Sequence, residues 1–209
     1  SKMNLDSRQV YIRVRLADKR EPIAEAIRRL ASAGTPCIGV DVEVRRDDGT
    51  CCERGEVGEI TVRGPNMMPG YWNRADETAA AIAPDGWYRT GDLGSLDDGG
   101  YLFIVDRAKD MLVSGGENVY TTEVENALAN HPAVLEVAVF GVPHEQWGEA
   151  VHAEIVVKPG HTVTERELTD HCRTQIGGFK LPRTIGLRSD PLPKSGAGKI
   201  LKRALRDLH

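Results

Sequence analysis

Apolar and polar residues alternate along two stretches of the chain, residues 40–44 and residues 58–64. A period of two is typical of a strand that buries one face. Asp47, Asp48 and Gly49 lie between the two stretches, and an Asp-Gly pair favours a tight turn. The pattern therefore predicts two antiparallel strands joined by a hairpin.

The segment before these strands has apolar residues at the spacing of a helix. Ile23, Ile27 and Leu30 recur at helical spacing, and Gly34 follows as a stop signal, which predicts a helix over residues 21–33. Residues 64–100 are rich in Gly, Pro, Asp and Asn. This composition predicts mainly turns and loops, with one short helix at residues 75–82.

The second half of the chain contains short apolar runs at intervals. These runs predict strands at residues 101–105, 134–140, 151–157 and 184–187. Residues 106–110 form a charged break between the first of these strands and a further apolar strand at residues 111–113. We interpret that break as a linker between two domains, residues 1–106 and residues 107–209.

Helix start signals lie between the strands of the second domain. Thr122 with Glu125, and Thr164 with Glu167, have the spacing of capping boxes. They predict helices that end near residue 130 and near residue 176. A basic helix is predicted over residues 199–208, so the fold class is α+β, with about three central strands and flanking helices in the second domain.

Composition narrows the possible classes of protein. Across 209 residues, Lys and Arg number 27 against 31 Asp and Glu, which gives a net charge of −4. This balance, without a basic stripe, argues against a nucleic-acid partner. No apolar run is long enough for a transmembrane segment, and the first residues are not an apolar leader, so we expect a cytoplasmic protein.

Cysteine and histidine spacing gives no sign of a metal site. The four cysteines include no CxxC pair, and we expect reduced thiols, with Cys51 and Cys52 flanking the hairpin turn. The six histidines include no HExxH pair. The sequence therefore predicts no protein-built metal centre.

Three clusters carry candidate chemistry. Asp92 lies in a glycine-flanked segment that we interpret as a turn, where a carboxylate either caps the turn or accepts hydrogen bonds from a ribose diol. Gly115 and Gly116 follow a strand, and their lack of side chains would let the backbone approach a ligand. Lys199 ends a glycine-rich loop and could place a positive charge on a phosphate or carboxylate oxygen.

These clusters belong to a longer ordered set of motifs over roughly residues 34–208. The set consists of GEVGEITVRG (55–64), GYW (70–72), DGWYRTGDL (85–93), YLFIVDRAKDMLVSGGENVY (101–120), WGE (147–149) and LPKSGAGK (192–199). It resembles the C-terminal portion of the adenylate-forming superfamily, and the SGGENVY form is most similar to acyl-CoA and aryl-CoA ligases. Residues 1–33 carry none of these motifs.

The resemblance implies an enzyme that joins a carboxylic acid, fatty or aromatic, to CoA through an acyl-adenylate, with release of pyrophosphate and AMP. ATP, the Mg²⁺ carried with it, and CoA are then co-substrates. By the same resemblance, Asp92, Arg107, Tyr88 and Thr90 belong to the nucleotide site. Lys199 is the catalytic lysine of the adenylation step.

The resemblance also implies residues for the second half-reaction. Lys109 corresponds to the hinge about which the small domain rotates. The expected CoA-binding residues are Gly115, Gly116, Trp147, Phe179 and Arg183. For Trp147, a surface-packed aromatic is the alternative interpretation.

One expected motif is absent from the sequence. No phosphate loop of the form SGTTGxPKG occurs, so residues 1–106 are interpreted as the final β-subdomain of a larger N-terminal domain that is missing. We therefore expect the chain alone to be inactive. The alternatives are a non-catalytic module that binds CoA or a partner, and an adenylating enzyme with another acyl acceptor.

Overall fold

The computed structural model describes residues 29–209. The helix predicted over residues 21–33 lies mostly outside the described residues, and of it only residues 29–31 are seen to be helical. The chain separates into two compact units, and the second unit is Lys109–His209. The break lies two residues after the predicted end of the first domain, and the domain assignment stays a prediction.

The first unit is built on a four-stranded antiparallel sheet in the order β1-β2-β3-β4. Its strands are β1 (Asp41–Arg45), β2 (Gly58–Arg63), β3 (Tyr88–Leu96) and β4 (Leu102–Arg107). Val42 is paired with Val62, which confirms the predicted hairpin. Val44, Ile60, Val62 and Leu102 are buried together on one face of this sheet.

Most of residues 64–100 forms turns and loops as predicted, but strand β3 within this stretch was not predicted. Gly91 and Gly94 lie within this nine-residue strand, and both neighbouring strands pair with it. A Cβ at Gly94 would lie 2.5 Å from the carbonyl oxygen of Phe103 and 2.8 Å from Cδ1 of Ile60. Glycine is therefore required at position 94 because the sheet is tight there, whereas Gly91 has a φ of 73°, in the left-handed region that favours glycine. The short helix, α1 (Ala75–Ala81), is confirmed.

The second unit contains a five-stranded sheet, in which β9 lies parallel to β8 and the other pairs are antiparallel. Its strands are β5 (Leu112–Ser114), β6 (Glu117–Val119), β7 (Val134–His144), β8 (Gly148–Val157) and β9 (Thr184–Arg188). Three of them are the central strands that the sequence predicts. Strand β5 matches the apolar strand predicted at residues 111–113, and β6 is its hairpin partner.

The sheet of the second unit is covered on both faces. Since successive residues of a strand point to opposite sides, neighbouring residues of one strand belong to different cores. Val139 belongs to one core with Leu128 and Leu168, whereas Phe140 belongs to a second core with Leu205. The helices that supply these residues are α2 (Thr121–Ala129), α3 (Glu165–Arg173) and α4 (Lys202–Arg206). None of the helices described is long and apolar enough to cross a membrane.

One of the two predicted capping boxes is confirmed. Thr164 Oγ1 accepts a hydrogen bond from the Glu167 backbone N–H, and the Glu167 carboxylate accepts one from the Thr164 N–H. The other is wrong, because the N-cap of α2 is Tyr120, with no side-chain cap. The Glu125 carboxylate instead accepts a hydrogen bond of 2.8 Å from the backbone N–H of Val139 on β7.

Two of the helices predicted in this region are shorter in the structure. Helix α3 ends at Arg173 rather than near residue 176. Helix α4 covers residues 202–206 rather than 199–208. Ile200 pairs with Lys194 in a β-bridge, so the start of the predicted helix is part of a small hairpin.

Candidate functional site

The acidic residue of the first cluster lies on a strand. Asp92 on β3 is paired in register with Arg107 on β4, and its Oδ1 lies 3.3 Å from the guanidinium Nε. The predicted turn is therefore wrong. Asp92 keeps 23% of its side chain exposed and Arg107 keeps 41%, so the pair is accessible from solvent.

Thr90 and Tyr88 lie on the same strand. The hydroxyl of Thr90 donates to the carbonyl of Ile60 (2.7 Å) and accepts from the backbone N–H of Asp92 (3.1 Å). These two bonds tie the backbone beside Asp92 to the neighbouring strand. The Tyr88 hydroxyl lies 3.4 Å from the Tyr71 hydroxyl.

A cleft of about 480 Å³ opens beside this strand within the first unit. Its wall includes Tyr71, Tyr88, Thr90, Gly91 and Glu59. The Glu59 carboxylate forms an ion pair with Arg89 (2.6 Å) and accepts from the backbone N–H of Gly91 (3.2 Å). Sequence reasoning did not single out Glu59 or Tyr71, although each lies inside one of the quoted motifs.

Three of the five residues predicted to contact CoA come together in the second unit. The Gly115 N–H donates to the Trp147 carbonyl (3.2 Å), and a Cβ on Gly115 would lie 3.4 Å from the indole. The Arg183 guanidinium lies 4.3 Å from the centre of a Trp147 ring. His144, which the sequence did not indicate, stacks on Trp147 with ring centres 4.3 Å apart. We call these four residues the tryptophan cluster.

Gly116 and Phe179 are placed differently. Gly116 has φ of 87° at the turn between β5 and β6, beside Gly115, in the left-handed region that favours glycine. Phe179 is 44% exposed on the 3-10 helix Gly178–Lys180, and its ring faces the Lys180 ammonium at 5.5 Å. Within residues 29–209, no ring contact joins Phe179 to Trp147.

The second candidate site of the second unit is the hairpin that carries Lys199. Ser195 N–H donates to the Lys199 carbonyl (2.8 Å), and the Lys199 N–H donates to the Ser195 hydroxyl (3.3 Å). Gly198 closes the turn with φ of 81°. Lys199 itself is exposed, so the hairpin presents a cation at the surface.

Two acidic residues hold the ends of this hairpin. Glu136 on β7 accepts from the Lys194 ammonium (2.5 Å) and from the Leu192 backbone N–H (3.0 Å). The hydrogen bond from Lys194, followed by the one from Leu192, lowers the pKa of Glu136 below its ordinary value. Glu125 on α2 binds the Lys202 ammonium (2.8 Å). No sequence motif links these partners, because about 60 residues or more separate each acid from its lysine.

Lys109 is the first residue of the second unit. Directly before it, the backbone N–H of Ala108 donates to the Gly91 carbonyl (3.0 Å), which fixes the end of the first unit to β3. The hinge role of Lys109 is a prediction that rests on the resemblance.

Comparisons with known proteins show the family of the chain. Residues 123–199 match the family of the AMP-binding enzyme C-terminal domain, and residues 14–72 match the AMP-binding enzyme family. The second match starts before residue 34, so the similarity extends further than the quoted motifs. The chain belongs to the adenylate-forming family of AMP-binding enzymes and corresponds to the C-terminal portion of such an enzyme.

Individual relatives are acyl- and aryl-CoA ligases by name. The chain is 44% identical over 183 residues to long-chain-fatty-acid–CoA ligase FadD13 of Mycobacterium tuberculosis, covering 88% of this chain and 36% of that protein. It matches o-succinylbenzoate CoA synthetase (MenE) from Bacillus subtilis, solved with the acyl-adenylate intermediate OSB-AMP, with TM-score 0.81 and 40% identity, covering 88% and 37% of the two chains.

A further solved relative is ATP-bound MatB from Rhodopseudomonas palustris, with TM-score 0.79 and 37% identity, covering 85% of this chain and 35% of that one. The chain thus spans about a third of the length of the proteins it matches.

Proposed function

We propose that this chain is the C-terminal portion of an ATP-dependent acyl-CoA ligase that acts on a fatty or aromatic carboxylic acid. The whole enzyme would convert the acid and ATP to an acyl-adenylate and pyrophosphate, and CoA would then displace AMP. The observation that carries this proposal is the hairpin that presents Lys199, because it gives an exposed cation a fixed position in a chain of this family.

Lys199 would act in the first half-reaction. As the acid attacks the α-phosphate, negative charge gathers on the reacting oxygens, and a fixed ammonium stabilises that charge. The contacts of Glu136 and Glu125 at the ends of the hairpin, which we call the two clamps, support this role. A positioned charge needs no reorganisation during the reaction.

Asp92 and its partners would hold the nucleotide. One carboxylate oxygen of Asp92 faces Arg107, and the carboxylate can also accept hydrogen bonds from the ribose hydroxyls. Tyr88 and Thr90 line the adjacent cleft. Mg²⁺ would arrive with ATP and be held mainly by phosphate oxygens, so we assign it no protein ligand.

The tryptophan cluster would receive the nucleotide end of CoA in the second half-reaction. An indole offers a stacking face, and Arg183 adds a cation suited to a phosphate. The turn at Gly115 and Gly116 leaves backbone open for the pantetheine chain. Rotation at Lys109 would exchange the two half-reactions.

Because the tryptophan cluster lies wholly within the second unit, it also favours the second candidate, a module that binds CoA without chemistry. AMP release separates the candidates. We would measure it with ATP, CoA and a panel of short, medium, long and aromatic acids, for the full-length parent protein and for the 209-residue chain. Release by the parent alone supports the ligase, and release by neither favours the module or an enzyme with a different acyl acceptor.

The role of Lys199 needs its own test in the parent protein. Lys199→Ala should abolish adenylation but spare thioester formation from supplied acyl-adenylate. Arg203→Ala is the matched control, because it removes the same charge from an exposed position on α4. If Lys199→Ala leaves adenylation intact, the assignment is wrong. In the parent protein, AMP release at the same rate with and without CoA would point to another acyl acceptor.

A further inference from the structure

Two histidines and a glutamate that belong neither to the Lys199 hairpin nor to the tryptophan cluster bring their donor atoms together in the second unit. They are His152, Glu154 and His209, and one ligand atom from each lies within 4.8 Å of the other two. His152 and Glu154 lie two residues apart on β8, so their side chains leave the same face of the strand. His209 follows α4.

We propose that His152, Glu154 and His209 form a binding site for a divalent transition metal, with zinc as the best fit. Two imidazoles and one carboxylate are a common zinc ligand set, in which the fourth position is left to water. His209 is exposed, so that position would face solvent.

The distances suit this ion. Glu154 Oε1 lies 3.3 Å from His152 Nε2 and 3.4 Å from His209 Nε2. Four ligands bonded at 2.0 to 2.1 Å around a tetrahedral zinc lie about 3.3 Å from one another. Two edges of the tetrahedron are therefore already at the required length.

The surroundings orient the ligands as a metal site requires. His152 Nδ1 lies 2.7 Å from the Thr184 hydroxyl on β9, which fixes the ring and directs Nε2 at the carboxylate. Arg188 lies 3.8 Å from Glu154 Oε2, the oxygen that the two histidines do not face.

Sequence spacing could not reveal this cluster, because His209 is 55 residues from Glu154 along the chain. Only the packing of α4 against the sheet brings it close. Phe140 flanks both rings, with ring centres 5.0 Å from His152 and 5.8 Å from His209. A bound ion would tie the end of the described chain to β8 and thereby restrain α4, which directly follows the Lys199 hairpin.

The test is titration of the tag-free 209-residue chain with Zn²⁺ by calorimetry, and with Co²⁺ by visible absorption. One tight equivalent of Zn²⁺ is expected, together with the intense absorption of tetrahedral Co²⁺. His209→Gln should weaken Zn²⁺ binding by at least tenfold, since even an outer-shell partner typically contributes 10- to 100-fold. Thr184→Val should weaken it about tenfold while keeping the side-chain shape.

His161→Gln is the matched control, because His161 is exposed and its ring Nδ1 lies 3.3 Å from the nearby Pro159 carbonyl. It should leave Zn²⁺ affinity unchanged. His209→Gln changes an exposed side chain after α4, so it should leave the fold intact. Circular dichroism would check that the variant is folded. Equal affinity in the wild type and His209→Gln, or equal loss in His161→Gln, overturns the proposal.

Discussion

Glu136 is the residue whose removal should most clearly separate positioning from chemistry. It is 19% exposed and accepts two hydrogen bonds at the base of the Lys199 hairpin, one from Lys194 and one from the backbone of Leu192. Lys194 is 39% exposed, so after discounting for solvent the ion pair is worth about 0.2 to 1 kcal/mol. The bond from Leu192 to a charged acceptor is worth about 1.5 to 3 kcal/mol.

These magnitudes predict different effects for two substitutions. Glu136→Ala loses both bonds and leaves the N–H of a buried residue without its acceptor, so it should lower the free energy of unfolding by about 2 to 3 kcal/mol. Glu136→Gln keeps an acceptor for that N–H and should cost about 1 kcal/mol or less. Urea denaturation of the 209-residue chain would measure both.

Activity should follow the same order. In the parent protein, Glu136→Ala should slow adenylation by about 10- to 100-fold, since a shift of about 1 Å in a catalytic group can cost about a hundredfold. Thioester formation from supplied acyl-adenylate should stay unchanged. A folded Glu136→Ala protein with wild-type adenylation would refute the reasoning that this clamp positions Lys199.

The pH dependence has a defined sign. The pKa of Glu136 is lowered in the folded protein, so its contribution to stability is present above the pKa of the unfolded chain. That contribution is lost as pH falls through the folded-state pKa. The stability difference between wild type and Glu136→Gln should therefore shrink on acidification, and a difference that grows would contradict the assignment.

Three further predictions concern other parts of the chain. Gly94→Ala should destabilise the first sheet by about 1 to 3 kcal/mol, because its Cβ meets the Phe103 carbonyl, whereas Gly178→Ala has open space and should stay within about 0.5 kcal/mol by urea denaturation. Burial raises the pKa of the Cys172 thiol to about 11, so a thiol reagent at neutral pH should label Cys172 only after denaturation; labelling in the native state at the rate of exposed Cys51 would show that the site opens. Lys109→Pro restricts the backbone at the proposed hinge and should impair one half-reaction selectively in the parent protein, and equal loss of both with intact folding would argue against the hinge.

Local sequence signals alone are enough to predict several elements. The alternation at residues 40–44 and 58–64, with an Asp-Gly turn, was enough for the first hairpin. Thr164 and Glu167 satisfy each other's backbone groups across one turn, so that helix start was also readable. The family motifs identified the class of protein because they lie in fixed order along the chain.

Other elements depended on neighbours distant in sequence. The glycines of β3 read as turn residues, and only the strands on either side show why they lie in a sheet. Glu125 has the spacing of a capping residue, yet its carboxylate bonds to β7 and Lys202. Spacing along the chain carries no information about such partners.

The candidate sites divide in the same way. The sequence alone identified Asp92, Lys199 and Trp147 as candidate site residues, because each lies in a contiguous motif. Only the tertiary structure joined Arg183 to Trp147, Glu136 to Lys194, and His209 to Glu154. Each of these contacts closes a long loop of chain, and the energy that holds the loop closed comes from burial of the sheet on both faces rather than from residues beside the contact.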